Sequence, residues 1–215
     1  VASAPSHSKR RLVLATLNPG KVRELARLLA DVPVELVPLA DIPGASLPDE
    51  TGATYVENAL IKARAAHRQT GVAALADDSG LEVDALGGAP GVHSARFGGP
   101  GLDDAGRVAL LLDRLRAVPP ERRGARFRCV IAIVDEHDRE HIVEGVVDGE
   151  IATAPRGDGG FGYDPVFLYP PLGRTFGELD ERDKEEVSHR GRAAAAARDT
   201  FWAFADNAIR KRSTR

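Results

Sequence analysis

A single cysteine in 215 residues rules out any disulfide within the chain, and that residue, Cys129, sits in an alternating apolar run. Such a thiol reads as a buried hydrophobe rather than a nucleophile. Long apolar runs are missing too. The longest fall well short of the ~20 residues a membrane-crossing helix needs, and residues 1–11 lack the apolar core of a secretory signal. No membrane partner is expected, and a cytoplasmic location follows. Residues 1–10, with Ser, Ala, Pro and His, read as a disordered leader or a remnant. There is no excess of positive charge: the net charge is -3, so no general attraction to polyanions is implied and nucleic acid is not an expected partner. The locally basic Arg210-Lys211-Arg212 reads as a solvated helix end leading into a basic tail, residues 211–215. Lysine is scarce, since only five of the 29 basic residues are Lys. With Lys9 and Lys211 near the termini, the interior exceptions are Lys21, Lys62 and Lys184. A compact ammonium can approach a phosphate as a point charge, which a guanidinium fork does less well.

What remains is an ordinary soluble composition, 43% hydrophobic and 28% charged, sufficient for one α/β domain. Residues 11–210 are taken as that domain, divided into two lobes. Arg11 to Ala15 reads as a strand, followed by the turn Thr16-Leu17-Asn18-Pro19-Gly20-Lys21. A helix then begins with Asn18 as N-cap and Pro19 at its first position. Val34 to Val37 suits a second strand. Thr54-Tyr55-Val56-Glu57 is a capping box opening a helix that Gly71 ends. The apolar run Val72 to Ala76 reads as a strand stopping at a turn, Asp77-Asp78-Ser79-Gly80, with a further strand from Leu81 to Ala85. Residues 86–101 form a Gly/Pro-rich loop carrying His93 and Arg96. Asp103 or Asp104 caps a helix that Pro119-Pro120 stops. Phe127 to Val134 and His141 to Ile151 form an antiparallel hairpin across Asp135 to Asp138. The run Asp180 to Glu186 reads as a solvated helical face. Ser188 caps a last helix, Ala193 to Ile209, with Ala197, Phe201, Phe204 and Ala208 inward. Helices mixed with a hairpin indicate a mixed sheet flanked by helices.

Several segments carry possible chemistry, and each has a plainer reading beside it. Asp77 and Asp78 could hold a hard cation, because carboxylate oxygens are what such an ion requires; Asp, Ser and Gly are equally the residues of an ordinary turn. The helix start at Asn18 to Lys21 offers unpaired N–H groups and a positive dipole, an anion site in which Lys21 would be neutralised. A capped helix with a solvated lysine accounts for it as well. The glycines of a Walker loop are missing, so that motif is excluded. Glu50 could join the Asp pair if its loop folds back, or stay solvated. In Gly159-Gly160-Phe161-Gly162-Tyr163-Asp164, Phe161 could offer its ring face to a nucleobase or drop into the core. His189 and Arg190 are again cations at a helix start, and an electron-rich ligand would relieve them.

Taken together, the segments ATLNPGKVRE, ETGATYVENALIKA, ALADDSGLEVDALGGAPGVHSARF, GGFGYDP and SHRG, in this order and spacing, closely resemble the inosine/xanthosine triphosphatase family of non-standard purine nucleoside triphosphate pyrophosphatases, also called HAM1-like or RdgB-like. The resemblance implies an elongated α/β fold, the ITPase-like fold: a long mixed central sheet, two lobes and a substrate cleft between them, usually in a homodimer. It also implies Mg²⁺-dependent hydrolysis of ITP, dITP and XTP to the monophosphate and pyrophosphate, which cleanses the nucleotide pool. By the same resemblance, Thr16, Leu17, Asn18, Pro19, Gly20 and Lys21 hold the triphosphate. Glu50 and Asp78 bind the metal, Asp78 also serves as base toward water, and Lys21 and Lys62 neutralise the leaving group. Ser79, Phe161, Gly162, Tyr163, Asp164, Lys184, His189 and Arg190 contact the substrate. Adjacent residues of an extended strand point to opposite sides, so only one Asp of the pair can be the direct ligand. The resemblance selects Asp78.

Overall fold

The computed structural model describes residues 10–212, the side chains of 199 and 202–212 excepted. Residues 1–9 of the expected leader and 213–215 of the tail therefore lie outside the described residues, as do the side chains of Phe204 and Ala208. One seven-stranded sheet runs through the chain in the order β2-β1-β3-β4-β5-β6-β7. Its strands are β1 (Arg10–Leu14), β2 (Val34–Pro38), β3 (Ala74–Val83), β4 (Gly124–Val134), β5 (Glu140–Ile151), β6 (Phe167–Tyr169) and β7 (Arg174–Thr175). β1 pairs in parallel with β2 and β3, and the remaining pairs are antiparallel, so the sheet is mixed as expected.

The helices are α1 (Pro19–Leu28), α2 (Tyr55–Thr70), α3 (Asp104–Arg114), α4 (Glu181–Val187) and α5 (His189–Arg212). Their ends follow from the residues placed there. Asn18 accepts from the N–H of Gly20 and Lys21, Thr54 and Glu57 close a capping box, and Gly71 ends α2 at a φ of 66°. Asp103 caps α3 and Asp180 caps α4. The last helix starts at His189, directly after the expected cap Ser188, whose Oγ accepts from Gly191 N in the first turn.

β3 departs from expectation in a way that matters for function. No turn stands at Asp77 to Gly80; a single ten-residue strand runs through both carboxylates, paired with β4 from Ala74↔Val134 to Val83↔Ala125. The continuous partner strand overrides the local turn preference of Asp, Ser and Gly. Gly80 serves close approach, not a turn: a Cβ there would collide with the carbonyl of Gly91 and stand 2.8 Å from the hydroxyl of Tyr55.

Strand alternation then sorts the packing. Ala74 and Ala76 face α2, whose Ala59, Ala63 and Ala66 let the helix lie close over Val130 and Ala132. Leu75 faces the opposite layer, where Leu25, Leu28 and Leu29 of α1 and Ala193, Ala197 and Phe201 of α5 cover Cys129 and Ile131. Leu81 and Val83 belong to a separate core with Phe127, Val147, Phe167, Phe176 and Leu111 of α3. Asp77 and Ser79 lie between these two cores on the same face. The sheet is continuous there, but its apolar cover is broken by a polar gap.

Candidate active site

The gap opens into a cleft of about 270 Å³, and the strand lengths explain where it lies. β1 ends at Leu14, and the backbone pairing toward β3 closes with Ala15 N donating to Leu75 O. β3 continues for eight residues beyond Leu75, so Asp77 to Gly80 border the space that β1 leaves. Because the cleft lies at a strand edge, side chains from both faces of the sheet can reach it. Lys21 arrives from α1 on one face and Lys62 from α2 on the other.

Nearly all the sequence candidates line this cleft: Thr16, Leu17, Asn18, Lys21, Glu50, Lys62, Asp78, Ser79, Phe161 to Asp164, Lys184, His189 and Arg190. All three interior lysines are among them. Pro19 and Gly20 are not. Gly20 instead supports Phe161, since a Cβ on Gly20 would stand 2.7 Å from Phe161 Cδ1. The free N–H groups expected at the start of α1 are also taken, because Asn18 Oδ1 accepts from Gly20 N at 2.8 Å and Lys21 N at 3.2 Å. An anion at this turn would meet the Lys21 ammonium and the outward Asn18 amide rather than a bare helix end.

At one end of the cleft two carboxylates close on one ammonium. Lys62 Nζ donates to Glu50 Oε1 at 2.5 Å and to Asp78 Oδ1 at 3.3 Å, with Lys62 and Asp78 both buried. The loop carrying Glu50 does fold back. Gly52 N donates to Asn58 Oδ1, and Arg96 Nη1 reaches Glu50 Oε2 at 3.3 Å while its Nε donates to His93 Nδ1. Burial raises the Asp78 carboxyl above its usual range, with Glu50 and Asp77 adding to the rise and Lys62 and Lys21 opposing it. At Glu50 burial again acts upward, but Lys62, Lys21 and Arg96 outweigh it and hold the carboxyl low. Asp78 Oδ2 is buried with no partner. Among the described residues no group of three or more His, Cys, Asp or Glu side chains could hold a metal. A pair of carboxylates with one orphaned oxygen fits a cation such as Mg²⁺, which takes one or two protein carboxylates and completes its shell with water and phosphate. It does not fit an all-protein cage.

Behind the cleft lies a network that the sequence reading missed. Asp77 is fully buried and receives Lys21 Nζ at 3.0 Å and Arg190 Nη2 at 3.1 Å on one oxygen, Oδ2. Glu24 receives Arg190 Nη1 at 2.5 Å and Lys184 Nζ at 2.6 Å, and Lys184 also bonds Asp164 Oδ2 at 2.5 Å. Contrary to the expectation of a relieving ligand, Lys21 and Arg190 at the two helix starts are paired by the chain's own carboxylates. Burial pushes Asp77 upward, yet Lys21, Arg190 and Lys62 together hold it far below the usual carboxylate range. His189 is driven well below the ordinary histidine value by burial and by Arg190 and Lys184, so it is neutral, and it stacks on Phe127 at 4.6 Å. The signal for Glu24 was present in the sequence, because positions 21, 24, 25 and 28 share one face of α1.

At the far end, Phe161 is half-buried, with Lys184 Nζ 4.9 Å and Arg190 Cζ 5.6 Å from its ring centroid. Its backbone N donates to Asp164 Oδ2, and Gly162 N donates to Asp104 Oδ2 at 2.9 Å. Tyr163 is the residue that enters the core, its hydroxyl donating to Ser94 O at 2.9 Å. Asp104 and Arg107 of α3 also line this end, which sequence reasoning did not foresee.

A model of the Ham1 family matches residues 12–200. The chain belongs to the Ham1 family. Among curated Ham1 relatives, the dITP/XTP pyrophosphatase of Desulforamulus reducens is 52% identical over 187 residues, 87% of this chain and 93% of that one. That of Symbiobacterium thermophilum is 55% identical over 188 residues, with the same shares. Among solved structures, a HAM1 protein from Coxiella burnetii superposes with a TM-score of 0.82 at 44% identity, covering 90% of this chain and 99% of that one. A nucleoside-triphosphatase / dITP/XTP pyrophosphatase from Mycobacterium abscessus gives 0.70 at 50%, covering 86% and 97%. All five quoted segments, from Ala15 to Gly191, fall within the span matched to the Ham1 family.

Proposed function

We propose that this Ham1 family protein is a pyrophosphatase that hydrolyses ITP, dITP and XTP to the monophosphate and pyrophosphate with Mg²⁺. One observation carries the reading: a single cleft joins the Glu50–Lys62–Asp78 cluster to the Phe161 ring and its two flanking cations. The first end suits a triphosphate and the second a flat base. Glu50 and Asp78 would hold the metal, which when bound supplies Lewis-acid polarisation of the phosphate oxygens. Asp78, raised in pKa, takes the proton of a water attacking the α-phosphorus. The bond from that phosphorus to the bridging oxygen breaks, and Lys21 and Lys62 neutralise the departing pyrophosphate. Thr16 to Asn18 and Lys21 hold the phosphates, and Ser79, Gly162, Asp164, Lys184 and His189 shape the site around the substrate.

Arg190 supplies the choice of base. Four of its hydrogen bonds are committed, to Asp77 twice, to Glu24 and to Ser79. A guanidinium has five N–H groups, so one remains to donate to a 6-keto oxygen. Adenine offers an amino group at that position and leaves the donor unpaired, a mismatch worth up to ~10⁴-fold in a site built for the bond.

The test is a panel of ITP, dITP, XTP, ATP and GTP in which pyrophosphate and orthophosphate are measured separately, with and without EDTA. Pyrophosphate from the first three, lost on chelation and restored by Mg²⁺, is expected. Stepwise orthophosphate release would sink the reading. A homodimer is part of the proposal: along the outward face of β5 Ile142 is 45% exposed, and light scattering should give twice the chain mass. No helix among the described residues is long and apolar enough to cross a membrane. A cytoplasmic enzyme acting on free nucleotides, without nucleic acid as partner, accords with that and with the net charge of -3.

A further inference from the structure

We propose that Arg107 reads the 2-position of the purine and thereby separates xanthine from guanine. This deepens the nucleotide reading above and rests on it. Arg107 lies on α3 with its side chain only 17% exposed, and it lines the cleft beside Phe161, Gly162 and Tyr163. The sole hydrogen bond of its side chain among the described residues is a long one, Nη1 to Asp104 Oδ1 at 3.4 Å, and its Nε is buried with no partner. Asp104 uses its other oxygen to hold Gly162 N, the residue next to the aromatic platform. A guanidinium with uncommitted donors is thus fixed at the base end of the cleft, where an unpaired buried donor is costly.

A guanidinium can donate hydrogen bonds but not accept them. The 2- and 6-positions of a purine lie on one edge, so a base whose 6-keto oxygen meets Arg190 carries its 2-substituent along the same wall of the cleft. Xanthine has a carbonyl oxygen there, hypoxanthine a hydrogen and guanine an amino group. Arg107 would meet an acceptor in the first, no partner in the second and an opposing donor in the third. Recognition at the 6-position alone cannot exclude guanine, which shares the keto group. A donor-only group at the 2-position can.

The test uses the whole protein and Arg107→Met, which keeps an unbranched side-chain stem and removes the guanidinium donors. Pyrophosphate release from XTP, ITP and GTP is measured, together with calorimetric binding of the monophosphates XMP and IMP. The expected result is that the XTP to ITP ratio of kcat/KM falls about ten-fold or more, that GTP gains relative to ITP, and that XMP loses its advantage over IMP. Arg107→Lys, which retains donors, should keep part of the XTP preference. An unchanged ratio would overturn the proposal. So would an equal fall for XTP and ITP, which would mean that Arg107 only braces α3 against Gly162. Should the wild-type protein release no pyrophosphate from any of the three, the proposed reaction fails by itself. The XMP to IMP binding ratio would still decide Arg107.

Discussion

Replacing Asp77 by Asn tests the charge network most directly, since it changes one buried group and little volume. Asp77 is 0% exposed and is the shared acceptor of Lys21 and Arg190. Removing one partner of a buried ion pair costs about 3–5 kcal/mol, because a buried charge is left uncompensated. Two facts favour the lower end here: Arg190 keeps Glu24, and the Lys21 side chain is 14% exposed and keeps some water. A loss of about 3 kcal/mol lowers the melting temperature of a domain this size by roughly 6–12 °C. The pH dependence gives a second signature. The folded-state pKa of Asp77 is depressed, so its stabilisation is fully present above the unfolded value of about 3.9 and is lost as pH falls through the folded value. The gap between wild type and Asp77→Asn should therefore be constant near neutrality and close in acid. A third signature is rescue: pyrophosphate brings negative charge to Lys21, so it should raise the melting temperature of the variant more than that of the wild type. Denaturant unfolding from pH 7 down to about pH 2, well below the unfolded carboxyl value, and thermal melts with and without pyrophosphate measure all three. A variant melting within about 2 °C of wild type, or a gap that persists unchanged in acid, would refute the argument.

Asp78→Asn should lower kcat by at least ~10² while substrate binding is largely kept, because the base is lost and the shape is not; single-turnover rates beside nucleotide titration separate the two, and unchanged turnover would leave a binding module. Gly20→Ala should raise KM about ten-fold with little change in melting temperature, since the new Cβ displaces the Phe161 ring rather than backbone; steady-state kinetics and a melt check it. His189 is neutral in the folded state with a pKa well below its unfolded value near 6.5, so the unfolded chain binds more protons and stability should fall as pH drops below about 6.5, by at most about 1.4 kcal/mol per pH unit. His189→Asn should flatten that slope in urea unfolding, and an unaltered slope would place the titrating group elsewhere.

Helix boundaries were the most legible part of the chain, because caps are local chemistry. Asn18, Thr54 with Glu57, Asp103 and Gly71 each act through residues within four positions of themselves. Asp77 to Gly80 was misread for the opposite reason. Its turn-like composition is local, whereas the strand through it is fixed by β4, whose pairing residues lie 42 to 60 positions further along the chain. Asp77 itself was undervalued because alternation assigns one Asp to each face without saying what waits there. Glu24, Lys184 and Arg190, its neighbours and their partners, come from helices at opposite ends of the sequence.

Lysine usage was legible without any fold, and the geometry supplies its reason. In a chain that writes Arg for 24 of 29 basic residues, each interior lysine lies where an ammonium meets carboxylates at close quarters. Lys62 fits between Glu50 and Asp78, Lys184 between Glu24 and Asp164, and Lys21 against Asp77. A point charge with three rotatable donors can satisfy two acceptors that approach from different elements, whereas a planar fork needs them coplanar. Arg190, the buried arginine of the same network, shows the contrast: Asp77, Glu24 and Ser79 are arrayed around its fork, and its direction is set by them. On the proposed reading, Lys21 and Lys62 would follow the flexible polyphosphate, while the fixed fork of Arg190, with Lys184 beside it at the Phe161 ring, would meet the rigid base. This division of labour makes each Lys-to-Arg exchange in the cleft a change of geometry even where it conserves charge.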